Sequence, residues 1–144
     1  MKVILERQNK AVHLKATNKD GASIDIDGAP SIGGENKGLR PMQLLLAGLG
    51  GCSSMDIISI LNKQKQALDD VKVVIDGERE KDKIPSLFEK IHAHFILTGH
   101  LDEKKVKRAV DLSMKTYCSV TRIIEKTADV TYSYEIIPKK DARL

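Results

Sequence analysis

The sequence predicts an α+β fold in which helices gather on one side of a mainly antiparallel sheet. Three observations carry this reading. Alternating apolar segments come in pairs at the start and in the middle of the chain, and one long run, residues 44–61, is apolar on every side. An amphipathic segment then precedes a last alternating stretch. The chain has 144 residues, enough for one domain, residues 1–144, that buries roughly 70% of its unfolded surface.

The elements follow in order. "AVHLKAT" and "ASIDID" alternate on either side of the turn signal "NKDG", which makes a hairpin. "GAPSIGGENKGLRP" is rich in Gly, Pro and Ser and reads as a surface loop. Its "SIGGENKG" has the look of a phosphate loop but lacks the lysine spacing and the strand-to-helix setting. It is a loop that can close over a site, with Glu35 as its polar candidate. Pro41 opens a helix, and from Met42 to about Lys65 apolar residues crowd every face. A helix apolar all round is a buried helix. "VKVVIDGERE" and "FEKIHAHFILTG", joined by "KDKIPS", form a longer hairpin. "HLDEKKVKRAVDLSMKTYCSV" is helical, with Asp102 as N-cap and Val106, Ala109, Val110, Leu112 and Ser113 along one stripe. "VTRIIEKTA" is a shorter helix, and "DVTYSYEII" is the last strand. One sheet and one further helix cannot cover every face of the apolar helix, so a twofold partner subunit is expected to cover the rest.

Composition narrows the function. The net charge of +4 comes from Lys and Arg interleaved with Asp and Glu, the pattern of a solvated surface rather than of a nucleic-acid footprint. There is no Trp, and three Tyr and two Phe make a poor base-stacking platform. "MKVILERQNK" turns charged after four residues, unlike a signal peptide. The run at residues 44–61 carries Asp56 and several serines and glycines, so it reads as a core helix and not as a membrane span. The expected compartment is the cytoplasm, where a pair of cysteines is redox-active or catalytic rather than a structural staple.

Those cysteines are Cys52 and Cys118. Cys52 follows Gly50 and Gly51 inside the apolar helix, where each glycine costs about 1 kcal/mol relative to Ala. The pair therefore marks either a kink or a close approach. A kink would leave Cys52 near a fresh helix N-terminus, which favours a thiolate. The thiolate is the nucleophile: about 3% of an unperturbed thiol is ionised at neutral pH, and roughly 90% when its pKa falls to about 6. Cys118 can meet Cys52 only if the two helices pack together, because a disulfide needs α-carbons within about 7 Å. A spacing this wide is not a CxxC motif. Packing is the plain alternative for a cysteine in an apolar helix. His92 and His94 share one face of a strand, and a zinc site built from them and the two cysteines is the metal alternative to two surface histidines. No metal and no cofactor is expected. A cysteine hydrolase would need a histidine beside Cys52, and nothing local selects His13, His92, His94 or His100.

"RPMQLLLAGLGGCSSMD" and "VDLSMKTYCSV" resemble the osmotically inducible protein C and organic hydroperoxide resistance family, and the resemblance covers nearly the whole chain. It implies an intertwined α+β homodimer with two central helices per subunit and active sites at the dimer interface. It also implies a thiol-dependent peroxidase that reduces organic hydroperoxides. By position, Cys52 matches the peroxidatic thiol and Cys118 the resolving thiol, with a dithiol such as dihydrolipoamide as reductant. The pocket around Cys52 would then be lined by Leu45, Leu49 and Met55, with apolar walls favouring organic hydroperoxides. The chain departs from the pattern at Met42, where the family's peroxidases carry a glutamate that holds an arginine over the sulfur. Gln43 offers a hydrogen bond there but no charge. For the arginine the sequence offers Arg7, Arg40, Arg79 and Arg122. The rival reading from this departure is a non-peroxidatic binding or redox-sensing member of the same fold.

Overall fold

A computed structural model describes residues 1–139. The chain forms two compact units, residues 1–45 and residues from 46 onward.

The first unit is an antiparallel meander of β1 (Val3–Arg7), β2 (Leu14–Asn18) and β3 (Ser23–Ile26). The hairpin expected around "NKDG" is β2–β3, with Leu14 opposite Ile26. After β3, Asp27 organises the glycine-rich loop. Its buried carboxylate accepts hydrogen bonds from the backbone N–H groups of Gly28, Glu35 and Lys37 at 2.7, 2.9 and 3.0 Å. The loop does cradle an anion, and the anion is its own aspartate. The turn is tight enough that a Cβ on Gly34 would lie 1.9 Å from the Gly28 carbonyl oxygen, so only glycine fits. The backbone N–H groups, that of Lys37 first, hold the Asp27 carboxyl below its ordinary value against the opposing effect of burial.

Helix α1 (Pro41–Lys63) begins in the first unit and runs through the second. The second unit otherwise contains β4 (Ala67–Arg79), β5 (Phe88–His100), α2 (Glu103–Leu112), α3 (Ser119–Ile124) and β6 (Asp129–Ile137). β4 and β5 form the expected long hairpin. β6 pairs with the far edge of β5 and runs parallel to it, since the chain has crossed over through α2 and α3. Phe88, Ile91, Ala93, Phe95 and Leu97 of β5 are buried with Val106, Ala109 and Val110 of α2 and Leu49, Ile57 and Leu61 of α1. Asp102 caps α2 as expected, accepting from the Lys105 N–H at 2.9 Å.

Three expectations change. The glycine pair does not kink α1, which is continuous across Gly50 and Gly51, so Cys52 does not sit at a helix N-terminus. Gly50 instead serves close approach: a Cβ there would lie 2.8 Å from Ile75 Cδ1 and 3.3 Å from Val73 Cγ1 on β4. A Cβ on Gly51 would meet nothing within 4 Å. Second, the helix expected to run through Cys118 ends at Leu112. A single π-helical turn, Ser113–Tyr117, follows, and Cys118 turns extended (φ −66°, ψ 103°) as the N-cap of α3. Third, α1 stops at Lys63, with Lys65 in the left-handed region at φ 55°. The helix is long and apolar enough to cross a bilayer by length and composition. One of its faces is spent in the protein core, and another leaves Met55 73% and Ile58 37% exposed.

Candidate active site

The site forms where α1 meets the π-helical turn after α2. Cys52 and Asp56 are one turn apart on α1 and so share a face. Across from them, the π-helical turn carries Ser113, and the chain leaving it carries Cys118. The Cys52 and Cys118 sulfurs and an Asp56 carboxylate oxygen all lie within 4.8 Å of one another. Both cysteines are free thiols; Cys52 is half-buried and Cys118 is fully buried.

Hydrogen bonds fix the group. The Ser113 hydroxyl lies 3.1 Å from Asp56 Oδ2 and 3.2 Å from the Ser53 carbonyl oxygen, tying the turn to α1 at two points. Ser53 Oγ donates back to the Leu49 carbonyl at 2.7 Å, which hides a hydroxyl on the buried side of the helix. Cys118 Sγ accepts from the Thr121 N–H at 3.4 Å. Burial pushes the Cys118 thiol above its ordinary value, and the neighbouring Cys52 acts in the same direction, while the Thr121 hydrogen bonds work against both. Cys118 is therefore a protonated thiol at neutral pH. Asp56 also faces outward, into an open cleft of about 570 Å³ lined by Ser59, Ile60, Lys63, Arg108 and Tyr117.

Residues 34–133, which contain this whole group, match the model of the OsmC-like protein family. The chain belongs to the OsmC-like family. It is 44% identical to protein YhfA of Escherichia coli over 103 residues, covering 71% of this chain and 76% of YhfA. A hypothetical protein from Aquifex aeolicus has the same fold, with TM-score 0.83 and 32% identity over 96% of this chain and 97% of that one. The organic hydroperoxide resistance protein OsmC of Legionella pneumophila shares the fold at TM-score 0.69 and 22% identity, over 94% of this chain and 97% of that one.

Against this OsmC-like frame, the other residues singled out in the sequence fall in several places. Leu49 is fully buried in the core, and Met55 stands on the exposed face of α1. Leu45, at the end of the first unit, is 46% exposed. Arg7 donates from Nε to the Asn9 carbonyl at 2.7 Å. Arg40 donates to the Asp27 carbonyl at 3.3 Å and to Asn36 Oδ1, so it belongs to the Asp27 loop. Gln43 Oε1 accepts from the Arg40 N–H at 2.9 Å, half of a capping box at the start of α1. Arg79 closes the β4–β5 hairpin with two bonds to the Ser86 carbonyl, at 2.7 and 3.1 Å. Arg122 donates to the Met114 carbonyl at 2.8 Å and pairs with Glu125. Within the second unit, among the described residues, no arginine or lysine hydrogen-bonds to Cys52.

The histidines do not join the cysteines. His92 and His94 lie along β5 facing β6, where Thr131 and Ser133 hydroxyls take their ring nitrogens at 2.8–2.9 Å and Glu135 lies 3.4 Å from His94. The sequence shows Asp56 as the carboxylate of "CSSMD" beside the thiol, but assigns it no role. Its signal was present, since a carboxylate four residues after a helical cysteine lies on the same face. Ser113 stands in the sequence only as one position of the apolar stripe of the second helix.

Proposed function

We propose that the protein is a thiol peroxidase for organic hydroperoxides, acting as a homodimer in the cytoplasm. The observation that supports this reading is the approach of the two sulfurs, with Cys52 half-buried and Cys118 fully buried behind it. A substrate reaches Cys52 first. Cys52 Sγ attacks the peroxide and breaks the O–O bond; an alcohol departs and Cys52 becomes a sulfenic acid. Cys118 Sγ then attacks Cys52 Sγ, an S–S bond forms, the S–O bond breaks and water leaves. An external dithiol reduces the disulfide by exchange and is itself oxidised. The exposed apolar face of α1, with Met55 and Ile58, is covered by a second copy of the chain, which also narrows the entrance to an apolar one.

The test is thiol loss from the reduced protein on mixing with cumene hydroperoxide. Fast oxidation is expected in the parent, none beyond that of a free thiol in Cys52→Ser, and a persistent sulfenic acid in Cys118→Ser. A parent no faster than a free thiol rejects the reading. Met55→Glu is expected to turn a dimer into a monomer in sedimentation, and an unchanged mass would reject the role given to that face.

Met42 favours a second reading, a redox-sensing or small-molecule-binding OsmC-like protein. The residue that holds an activating arginine in the family's peroxidases is absent, and Gln43 beside it is engaged in capping α1. Slow peroxide reaction combined with tight binding of an apolar ligand would favour it.

A further inference from the structure

Asp56 poses a question that peroxide chemistry alone leaves open. A carboxylate within 4.8 Å of the two sulfurs has no part in the attack of Cys52 on a peroxide. Its position serves Cys118 instead. That thiol is fully buried, is protonated at neutral pH and has no solvent contact through which to lose its proton. To attack Cys52 it must give the proton to something within direct or singly water-bridged reach. Asp56 meets that requirement, because its carboxylate is within 4.8 Å of both sulfurs. The Ser113 hydroxyl anchors Oδ2, and among the described residues Oδ1 has no hydrogen-bond partner. The same side chain lines the open cleft with Ser59, Lys63 and Arg108, which gives the proton a route to water.

We propose that Asp56 is the proton acceptor for disulfide closure, taking the Cys118 proton as Cys118 Sγ attacks Cys52 Sγ. With a sulfenic acid at Cys52, the S–S bond forms, the S–O bond breaks and Asp56 passes the proton to the departing hydroxide, which leaves as water. With any other leaving group on Cys52 the proton exits through the cleft. The inference deepens the peroxidase reading but needs from it only that Cys118 closes onto a modified Cys52.

DTNB separates the two. Cys52 thiolate attacks the reagent and releases one TNB thiolate; Cys118 then attacks the mixed disulfide and releases a second. Asp56→Asn is expected to leave the first release as fast as in the parent or faster. It should slow the second on the order of 100-fold, the span of a lost general base. Asp56→Glu should keep the second within a few-fold, and added acetate should restore it in Asp56→Ala. A second release unchanged in Asp56→Asn overturns the proposal, and so does a parallel fall of both releases, which is what a merely structural carboxylate would give. If Asp56→Asn does not fold, Ser113→Ala is read in its place; it unties the carboxylate and should slow only the second release, and equal loss of both phases again overturns the proposal. A protein that passes this test yet ignores cumene hydroperoxide would lose the peroxidase reading and keep Asp56 as the proton acceptor.

Discussion

Two aspartates, one in each unit, show how differently a carboxylate can be used. Asp27 takes three backbone N–H groups from its own loop, sits buried, and has its charge stabilised by them. Asp56 has one serine hydroxyl, two sulfurs for neighbours and an open cleft before it. The first is satisfied and holds structure. Among the described residues the second keeps one oxygen without a hydrogen-bond partner, beside the two sulfurs between which we propose that it carries a proton. Satisfaction of hydrogen bonds, not burial alone, separates a structural anion from a reactive one.

The comparison predicts opposite consequences for substitution. The largest structural effect is expected at Asp27. Asp27→Ala leaves the N–H groups of Gly28, Glu35 and Lys37 without their partner, so the loop from residue 28 to 40 should open to limited proteolysis while the cysteines keep their DTNB kinetics. Protection equal to the parent's would mean that the loop is held by something else. The charge also sets a direction with pH. The folded-state pKa of Asp27 lies below its unfolded value, so its contribution is fully present above about pH 4. It is lost as the pH falls through the folded-state value, and Asp27→Asn should flatten that acid limb in thermal melts. At Asp56 the expectation reverses, with a neutral isostere costing at most about 1 kcal/mol, the value of its one bond to Ser113, and the main change falling on cysteine kinetics.

Smaller effects sharpen the picture of α1. Gly51→Ala adds a methyl where a single copy of the chain offers nothing within 4 Å, and removes a helix glycine. In a monomer it should stabilise by about 1 kcal/mol. In a dimer that covers this face it should instead weaken association, read as a lower apparent Tm at low protein concentration. The smallest effect is expected at Tyr132, whose hydroxyl donates to Asp111 Oδ1 at 2.7 Å and joins β6 to α2. Burial first, and then Asp111, push the phenol up to about 12. Tyr132→Phe should cost about 1 kcal/mol in urea unfolding, the value of one such bond. No measurable change would show that water replaces it.

The elements legible in the sequence are those whose cause is local. Both hairpins are marked by their turns, α1 by its apolar run after Pro41, and α2 by its cap at Asp102. What the sequence hid depends on residues far apart. The parallel pairing of β6 with β5 follows from a crossover, not from either strand's pattern. The glycine pair leaves kink and close approach equally open until Ile75 and Val73 are seen opposite Gly50. Asp27 looked like one more residue of an alternating strand, because its partners lie up to ten residues ahead. At the site, both cysteines stand out by residue type alone. Asp56 gains meaning only once Cys118 arrives beside it through the π-helical turn, a break that the continuous amphipathic pattern of α2 conceals.

The most direct test of the central claim is the oxidation of reduced protein by one equivalent of cumene hydroperoxide, with the product read by intact mass spectrometry. The two-cysteine cycle predicts rapid loss of both thiols in the parent with a mass change of a single intramolecular disulfide, and one added oxygen retained in Cys118→Ser. Cysteines that stay reduced, or a parent that accumulates the oxygen adduct without closing the disulfide, would contradict it.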